Sequence, residues 1–421
     1  MDVLAKATGT YLRRFMEERT NHDSLIFELN IMTNQKVQTL VEKARAEIQG
    51  LRPYQPGKPI DELAREFGLN PADIVKLASN ENPIGPSKKA IEAMEQEARE
   101  LTRYPDGNGF DLKEALCQKL STDASPIKHG NITLGNGSSD ILDFIVTCFV
   151  SKGDEVVFSQ HAFAIYGLVT TIQGGECKVV PAKNYGHDLD AMAAAITDKT
   201  RLVFVTNPNN PTGTWLTHTE VSDFMAKVPS DVVVVLDEAY FEYVSEPYYC
   251  DGLTLLPKYP NLVITRTFSK AYGLASLRVG YGISAPEIAD LMNRVRPPFN
   301  VNSFALAAAV ATLNDEDYVA ESKAVNDAGM AYLTQAFDEM GLPYIPSVGN
   351  FISFEIPKEI DHKPTNISAS EVNAQLLANG VIIRPIANYE MPSYLRASIG
   401  TAKENETFIA KLKQILADAR S

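Results

Sequence analysis

Short runs of β-branched and aliphatic residues in the middle of the chain constrain the fold more than any other feature. Residues 202–206, 232–236 and 262–265 are almost continuously apolar, and segments with helical periodicity separate them. Strands buried on both faces have this composition, because helices cover both sides of a parallel sheet. With a similar run at 155–158, the pattern predicts an α/β fold with a mostly parallel central sheet and flanking helices.

The pattern changes toward both ends of the chain. After residue 314 a long helix, short strands and a helix opened by a capping box at Ser368 predict a smaller C-terminal α+β domain over 315–421. The large α/β domain is expected over 86–314. Before it, residues 32–85 predict a helix that ends near Gly50, followed by a proline-rich arm. Residues 1–31 form an extension whose role the pattern does not indicate.

Charge and cysteine content exclude several classes of protein. The chain of 421 residues has 39 basic and 53 acidic side chains and a net charge of −14, which disfavours nucleic acid and anionic membranes as partners. No apolar run reaches the roughly 18 residues that cross a bilayer. The four cysteines have no metal-binding or disulfide spacing, so we expect no metal site and a reducing, cytoplasmic location.

Polar residues follow several predicted strands at the point where each strand ends. Asn210 follows the first run, Asp237 and Tyr240 follow the second, and Ser269 and Lys270 follow the third. The carboxyl ends of parallel strands meet at one edge of a sheet, where ligands bind. These side chains are therefore expected to lie together.

A glycine-containing turn before a predicted helix adds an anion site to this edge. Gly137, Ser138 and Ser139 open the helix, where free backbone N–H groups and the helix dipole favour negative charge. The combination suits pyridoxal phosphate chemistry, in which a lysine condenses with the aldehyde and a carboxylate keeps the pyridine nitrogen protonated. Arg278 is a further candidate for the phosphate, and Arg396 for a substrate carboxylate.

Seven segments form recognisable motifs. NPNNPTG at 207–213, DEAY at 237–240 and TFSKAYGLASLRVG at 267–280 resemble the fold-type I aminotransferases of classes I and II. LRPYQPGK at 51–58, LASNENP at 77–83, RYPDG at 103–107 and YLRASIGT at 394–401 resemble, among these, the histidinol-phosphate aminotransferases. The resemblance covers roughly residues 50 to 418.

The resemblance implies a role for each candidate residue. Lys270 binds pyridoxal 5′-phosphate covalently and moves the proton, Asp237 pairs with the pyridine nitrogen, and Asn210 and Tyr240 contact the ring oxygen. Phe163 covers the ring face. The cofactor phosphate is bound by the residues of the turn and of the lysine segment: Gly137, Ser138, Ser139, Ser269 and Arg278.

Other implied roles concern the substrate and a second subunit. Tyr104 reaches the cofactor phosphate of the neighbouring subunit, which makes a homodimer part of the mechanism. Tyr54, Arg384 and Arg396 bind the substrate.

The implied reaction exchanges amino and keto groups between L-histidinol phosphate and 2-oxoglutarate in histidine biosynthesis. An aromatic amino-acid aminotransferase remains an alternative, since phosphate and aromatic pockets interconvert with few changes. A threonine-phosphate decarboxylase-like lyase is another, because such lyases resemble this family closely. The sequence leaves the amino acceptor and the pathway open.

Overall fold

The computed structural model describes residues 36–51, 53, 57–360 and 363–419. The chain divides into two units, Met1–Pro53 and Tyr54–Ser421. In the first unit the single helix expected before Gly50 is wrong: residues 36–41 are helical, and a separate helix spans Ala46–Gln49. Arg45 is extended with a ψ of 132° and separates the two. The predicted extension 1–31 lies outside the described residues.

The strands that the structure describes in the second unit form one large and three smaller sheets. In chain order they are β1 (Val75–Lys76), β2 (Ile132–Gly135), β3 (Glu155–Ser159), β4 (Glu176–Val180), β5 (Thr200–Thr206), β6 (Val233–Asp237), β7 (Leu262–Thr267), β8 (Gly280–Ser284), β9 (Tyr344–Ile345), β10 (Phe351–Glu355), β11 (Glu359–Ile360), β12 (Lys363–Pro364), β13 (Val381–Ile382), β14 (Arg384–Pro385) and β15 (Tyr394–Ser398).

The large sheet has seven strands in the order β2-β8-β7-β6-β5-β3-β4. Strands β7, β6, β5, β3 and β4 run parallel, and β8 is antiparallel to both of its neighbours. The predicted mostly parallel sheet is thereby confirmed. Strands β4 and β8 were not predicted, because β4 is largely exposed and β8 contains two glycines.

Helices flank the sheets along the chain. The α-helices of the second unit are Ile60–Phe67, Lys88–Glu97, Phe110–Leu120, Ser138–Phe149, Ile165–Gln173, Leu189–Ala194, His218–Met225, Pro286–Val295, Ser303–Leu313, Glu316–Met340, Ala369–Ala378 and Ala402–Asp418. Among the described residues none of the helices is long and apolar enough to cross a membrane.

The large sheet separates two apolar clusters. Leu202 and Phe204 of β5 point to a cluster that includes Ile141 and Ile145, whereas the alternate residues Val203 and Val205 join the opposite cluster. Successive side chains of a strand point to opposite faces, so a strand with helices on both sides must be apolar at every position. This explains the continuous runs in the sequence.

A second sheet and its own cluster form the C-terminal part. Four strands in the order β14-β15-β10-β9 pair antiparallel and pack through Phe354 against Phe337 and Phe408. Ser368 and Glu371 form the predicted capping box at the start of the helix Ala369–Ala378. Strand β1, from before the large sheet, pairs in parallel with β13, a connection that the sequence did not indicate.

Candidate active site

Most of the predicted site residues line one cavity of about 290 Å³ at the carboxyl edge of the large sheet. Adjacent parallel strands β5, β6 and β7 bring together the segments that follow them. The predicted residues that line the cavity are Ser138, Ser139, Phe163, Asn210, Asp237, Tyr240, Ser269, Lys270, Arg278, Arg384 and Arg396. Residues from separate parts of the sequence thus meet in one volume.

Lys270 follows β7 and points its amine into this cavity. The amine donates a hydrogen bond to the Ser79 carbonyl oxygen over 3.1 Å. Burial, with Arg396 and Arg278 nearby, lowers the pKa of Lys270 to about 8. About a tenth of the amine is therefore neutral at pH 7, far more than at the usual lysine pKa of about 10.4, and the neutral amine is the form that acts as a nucleophile.

Asp237 is the last residue of β6 and is only 3% exposed. Its two carboxylate oxygens accept hydrogen bonds from the Tyr166 hydroxyl at 2.7 Å and the Thr265 hydroxyl at 2.8 Å. Burial raises the pKa of Asp237, and these two donors act against that rise. The donors favour the charged form of a carboxylate that solvent does not reach.

Tyr240 and Asn210 also line the cavity. The Tyr240 hydroxyl oxygen accepts a hydrogen bond from the Asn80 amide at 2.9 Å. Burial raises the pKa of Tyr240 to about 12, so the phenol stays protonated and can donate. The Asn210 side-chain oxygen accepts a hydrogen bond from Arg396.

The glycine turn and Arg278 form an anion cradle at the start of the helix Ser138–Phe149. Arg278 donates hydrogen bonds to the Asn136 carbonyl oxygen and to the Ser269 hydroxyl oxygen, each with a donor–acceptor distance of 3.3 Å. Gly137 has a φ of +77°, and a Cβ there would lie 2.5 Å from the Arg278 guanidinium. Only glycine admits the arginine this close to the helix N-terminus, where backbone N–H groups are free to bind an anion.

Two arginines enter the cavity from the small antiparallel sheet. Arg396 on β15 donates to the Ala78 carbonyl oxygen at 2.9 Å, and its guanidinium carbon lies 5.3 Å from the centre of the Phe351 ring. Arg384 on β14 is half-buried and also lines the cavity. The two side chains supply the positive charge that an anionic substrate needs.

Two of the predicted residues that the structure describes, Gly137 and Tyr104, are absent from the lining of this cavity. Tyr104 is 82% exposed and stacks on Phe299, with 4.7 Å between ring centres. Tyr54 lies outside the described residues.

Three side chains that hydrogen-bond Asp237 or Tyr240 were not predicted from the sequence. Tyr166 and Thr265 hydrogen-bond Asp237, and Asn80 hydrogen-bonds Tyr240. Asn80 lies in the LASNENP motif and could have been found there. Tyr166 lies three residues after Phe163 in a buried helix, where a tyrosine is normally an ordinary core residue.

The phosphate cradle, the buried carboxylate and the lysine with a lowered pKa fit pyridoxal 5′-phosphate. The cradle suits the phosphate, Asp237 suits the pyridine nitrogen, and the Lys270 amine suits the aldehyde. Fold and site together define a fold-type I, pyridoxal-phosphate-dependent aminotransferase.

Comparisons with known proteins agree with this class. Residues 72–412 match the model of the family described as aminotransferase class I and II. Histidinol-phosphate aminotransferase 2 of Pseudomonas fluorescens is 54% identical over 376 residues, which cover 89% of this chain and 98% of the relative. Histidinol-phosphate aminotransferase 1 of Nitrosococcus oceani is 53% identical over 377 residues, with 90% and 98% covered.

A solved structure gives the same result. The histidinol-phosphate aminotransferase of Sinorhizobium meliloti in complex with pyridoxal-5′-phosphate is 29% identical, with a TM-score of 0.80 over 89% of this chain and 98% of that chain. The chain belongs to the class I and II aminotransferases and, within them, to the histidinol-phosphate aminotransferase family.

Proposed function

We propose that this protein transfers an amino group between L-histidinol phosphate and 2-oxoglutarate, as a step in L-histidine biosynthesis. The names of the relatives support this substrate. The observation that carries the proposal is that Arg384 and Arg396 enter the same cavity as Lys270. A substrate that carries a phosphate, and a second one that carries two carboxylates, both need such cations.

The roles proposed for the core residues follow from their chemistry. When bound, pyridoxal phosphate supplies an electron-withdrawing ring that stabilises negative charge at the substrate Cα. Lys270 holds the cofactor and carries the proton that leaves Cα. Asp237 holds the proton on the pyridine nitrogen, while Asn210 and Tyr240 orient the ring through its oxygen.

The remaining cofactor contacts bind rather than react. Ser138, Ser139, Ser269 and Arg278 hold the phosphate in the cradle beside Gly137. Phe163 at the cavity wall covers the ring face. Arg396 binds a substrate carboxylate, and Arg384 binds the substrate phosphate together with Tyr54.

The active form is proposed to be a homodimer. Tyr104 and Phe299 expose two stacked rings, 82% and 46% accessible, outside the cavity of their own chain. In a homodimer whose second subunit covers these rings, Tyr104 of one subunit would reach the cofactor phosphate of the other. The free thiols of Cys117, Cys148, Cys177 and Cys250 support a cytoplasmic, reducing location.

A spectroscopic half-reaction tests the proposed substrate. The holoenzyme is mixed separately with L-histidinol phosphate, L-phenylalanine and L-threonine phosphate, and the absorption of the cofactor is followed. Rapid conversion to the amine form of the cofactor by histidinol phosphate alone is expected. Faster conversion by phenylalanine would make the protein an aromatic aminotransferase, and release of carbon dioxide from threonine phosphate would make it a lyase.

Lys270→Ala checks the chemistry in the same assay. The variant is expected to bind the cofactor without the covalent bond and to lose nearly all turnover. An active Lys270→Ala protein would overturn the assignment of Lys270.

A further inference from the structure

Tyr166 is fully buried behind Asp237 and does not line the cavity. It lies in the helix Ile165–Gln173 with 0% of its surface exposed. Its hydroxyl lies 2.7 Å from the Asp237 Oδ2 atom and 2.8 Å from the Thr206 Oγ1 atom. A buried phenol needs hydrogen-bond partners. Because one partner of Tyr166 is a carboxylate of the ligand site, the contact can serve the site as well as the packing of the core.

The direction of these hydrogen bonds follows from counting hydrogens. A phenol has one hydrogen, which the ionised Asp237 must receive because a carboxylate can only accept. Thr206 therefore donates to the Tyr166 oxygen. In such a chain each bond polarises the next, so Thr206 strengthens the bond that Tyr166 donates to Asp237.

The aromatic ring of Tyr166 makes a second set of contacts. It stacks on Phe204 of β5 with 4.2 Å between ring centres and 8° between ring planes. The Phe163 ring meets it edge-on, at 5.9 Å and 89°. Tyr166 thus contacts both the carboxylate proposed for the pyridine nitrogen and the aromatic residue proposed for the ring face.

Few other polar groups face the Asp237 carboxylate. Thr265 on β7 donates to its Oδ1 atom, and the Ala239 backbone and Tyr240 lie nearby. His187 lies beyond Thr206, against its backbone, and burial lowers the pKa of His187 to about 4, so it is neutral at physiological pH. Tyr166 is therefore one of only two side chains among the described residues for which a hydrogen bond to this carboxylate is seen.

We propose that Tyr166 is a positioning residue for the cofactor, which holds Asp237 ionised and aligned through its hydroxyl and fixes Phe163 through its ring. The inference rests on the proposed role of Asp237 at the pyridine nitrogen. It does not depend on which substrate the enzyme uses.

Tyr166→Phe tests the hydroxyl, because it removes one oxygen and keeps the ring contacts. Tyr259→Phe is the matched control, since Tyr259 is also buried and its hydroxyl donates to the Ser222 carbonyl oxygen, away from the site. Two quantities are measured on each protein: the dissociation constant for pyridoxal phosphate, and the pH midpoint of the absorption change of the bound cofactor.

Loss of a hydrogen bond to a charged group predicts an increase of about tenfold in the dissociation constant. The pH midpoint of the absorption change of the bound cofactor should rise by about one unit. Without the Tyr166 hydroxyl, the less stabilised carboxylate takes the proton from the ring nitrogen, and the ring then withdraws electrons less strongly. Tyr259→Phe should match the wild type in both. A Tyr166→Phe protein with wild-type values for both would overturn the inference.

A double-mutant cycle separates positioning from packing. In an Asp237→Asn background, Tyr166→Phe should shift the midpoint no further, since its effect passes through the carboxylate. Equal shifts in both backgrounds would contradict the inference. If Tyr166→Phe fails to fold, Thr206→Val gives a smaller midpoint shift in the same direction, and no shift there would overturn the inference as well.

Failure of the proposed function gives a different result. A wild-type protein that binds pyridoxal phosphate but does not react with histidinol phosphate would disprove the substrate, while the spectroscopic effect of Tyr166→Phe would persist.

Discussion

Arg384 and Arg396 lie directly opposite each other on the adjacent antiparallel strands β14 and β15. Like charges in this position repel each other, and both side chains line the cavity. Negative charge on a substrate bound in the cavity would offset this repulsion. The pair therefore suits an anionic substrate.

Replacing Arg384 should separate the two substrates of the proposed reaction. Arg384→Ala is expected to raise the KM for histidinol phosphate by at least tenfold, since one charge-assisted hydrogen bond contributes about 1.5–3 kcal/mol, and to change the KM for glutamate much less. Steady-state kinetics with each amino donor measure this. Arg294→Ala, on the surface beside Asp290, is the control. Equal losses for both donors would show that Arg384 is structural or serves both.

The close approach of Arg278 to Gly137 predicts a cofactor-binding defect in Gly137→Ala. The new methyl group would collide with the guanidinium and displace it from the cradle, so the dissociation constant for pyridoxal phosphate should rise more than tenfold. Gly153→Ala is matched for backbone strain, because Gly153 has a φ of +88° and a methyl group there would meet no atom within 4 Å. It should lose about 1 kcal/mol of stability and keep wild-type affinity. Equal affinities of the two variants would contradict the cradle.

Burial of His187 predicts a loss of stability in acid. Its pKa is lowered from 6.5 to about 4, so the unfolded chain binds more protons than the folded one between these values. The free energy of unfolding should therefore fall as the pH drops from 6.5 toward 4, by about 3 kcal/mol for this group.

Urea unfolding of His187→Gln between pH 7 and pH 4.5 measures this contribution. The variant should show a shallower pH dependence than the wild type, whereas His218→Gln, at an exposed histidine, should retain the wild-type slope. Parallel curves for His187→Gln and the wild type would show that another group causes the acid sensitivity.

The exposed Tyr104 predicts complementation between inactive chains. Tyr104→Ala and Lys270→Ala chains, dissociated and reassembled together, should form mixed dimers in which one site is intact. With random pairing about a quarter of the wild-type sites return. Phe299→Ala, which removes the ring stacked on Tyr104, should lower cofactor affinity and should also complement Lys270→Ala. No recovery in either mixture would show that Tyr104 does not act on a second copy.

Site residues were most predictable from the sequence where a polar side chain directly follows a buried strand. Asn210, Asp237 and Lys270 were predictable, because continuous apolar runs identify parallel strands and parallel strands end at one edge. Strand β8 was not predictable, since glycine has a low preference for strands and β8 contains two glycines. The β1–β13 pairing joins residues about 300 positions apart through only two residues on each strand, which is too little for any periodicity.

Within the site, the unpredicted residues are those whose role depends on three-dimensional neighbours. In the sequence Tyr166 cannot be distinguished from an ordinary core tyrosine. Only its 2.7 Å hydrogen bond to Asp237 in the structure reveals a role in the site. Tyr104 was expected at another subunit, and the structure places it on the surface. The functional consequence of each depends on a partner that sequence spacing does not specify.

The residues proposed for cofactor chemistry follow strands of the large sheet, while both substrate-facing arginines belong to the small one. Substitutions around Arg384 can therefore alter which amine is accepted, whereas Arg396 must be kept because it also donates a hydrogen bond to Asn210. Directed evolution toward a new amino donor should start with libraries at residues 384–395. Recombination at a point between the coding segments of the two sheets would transfer substrate specificity separately from the cofactor-binding residues.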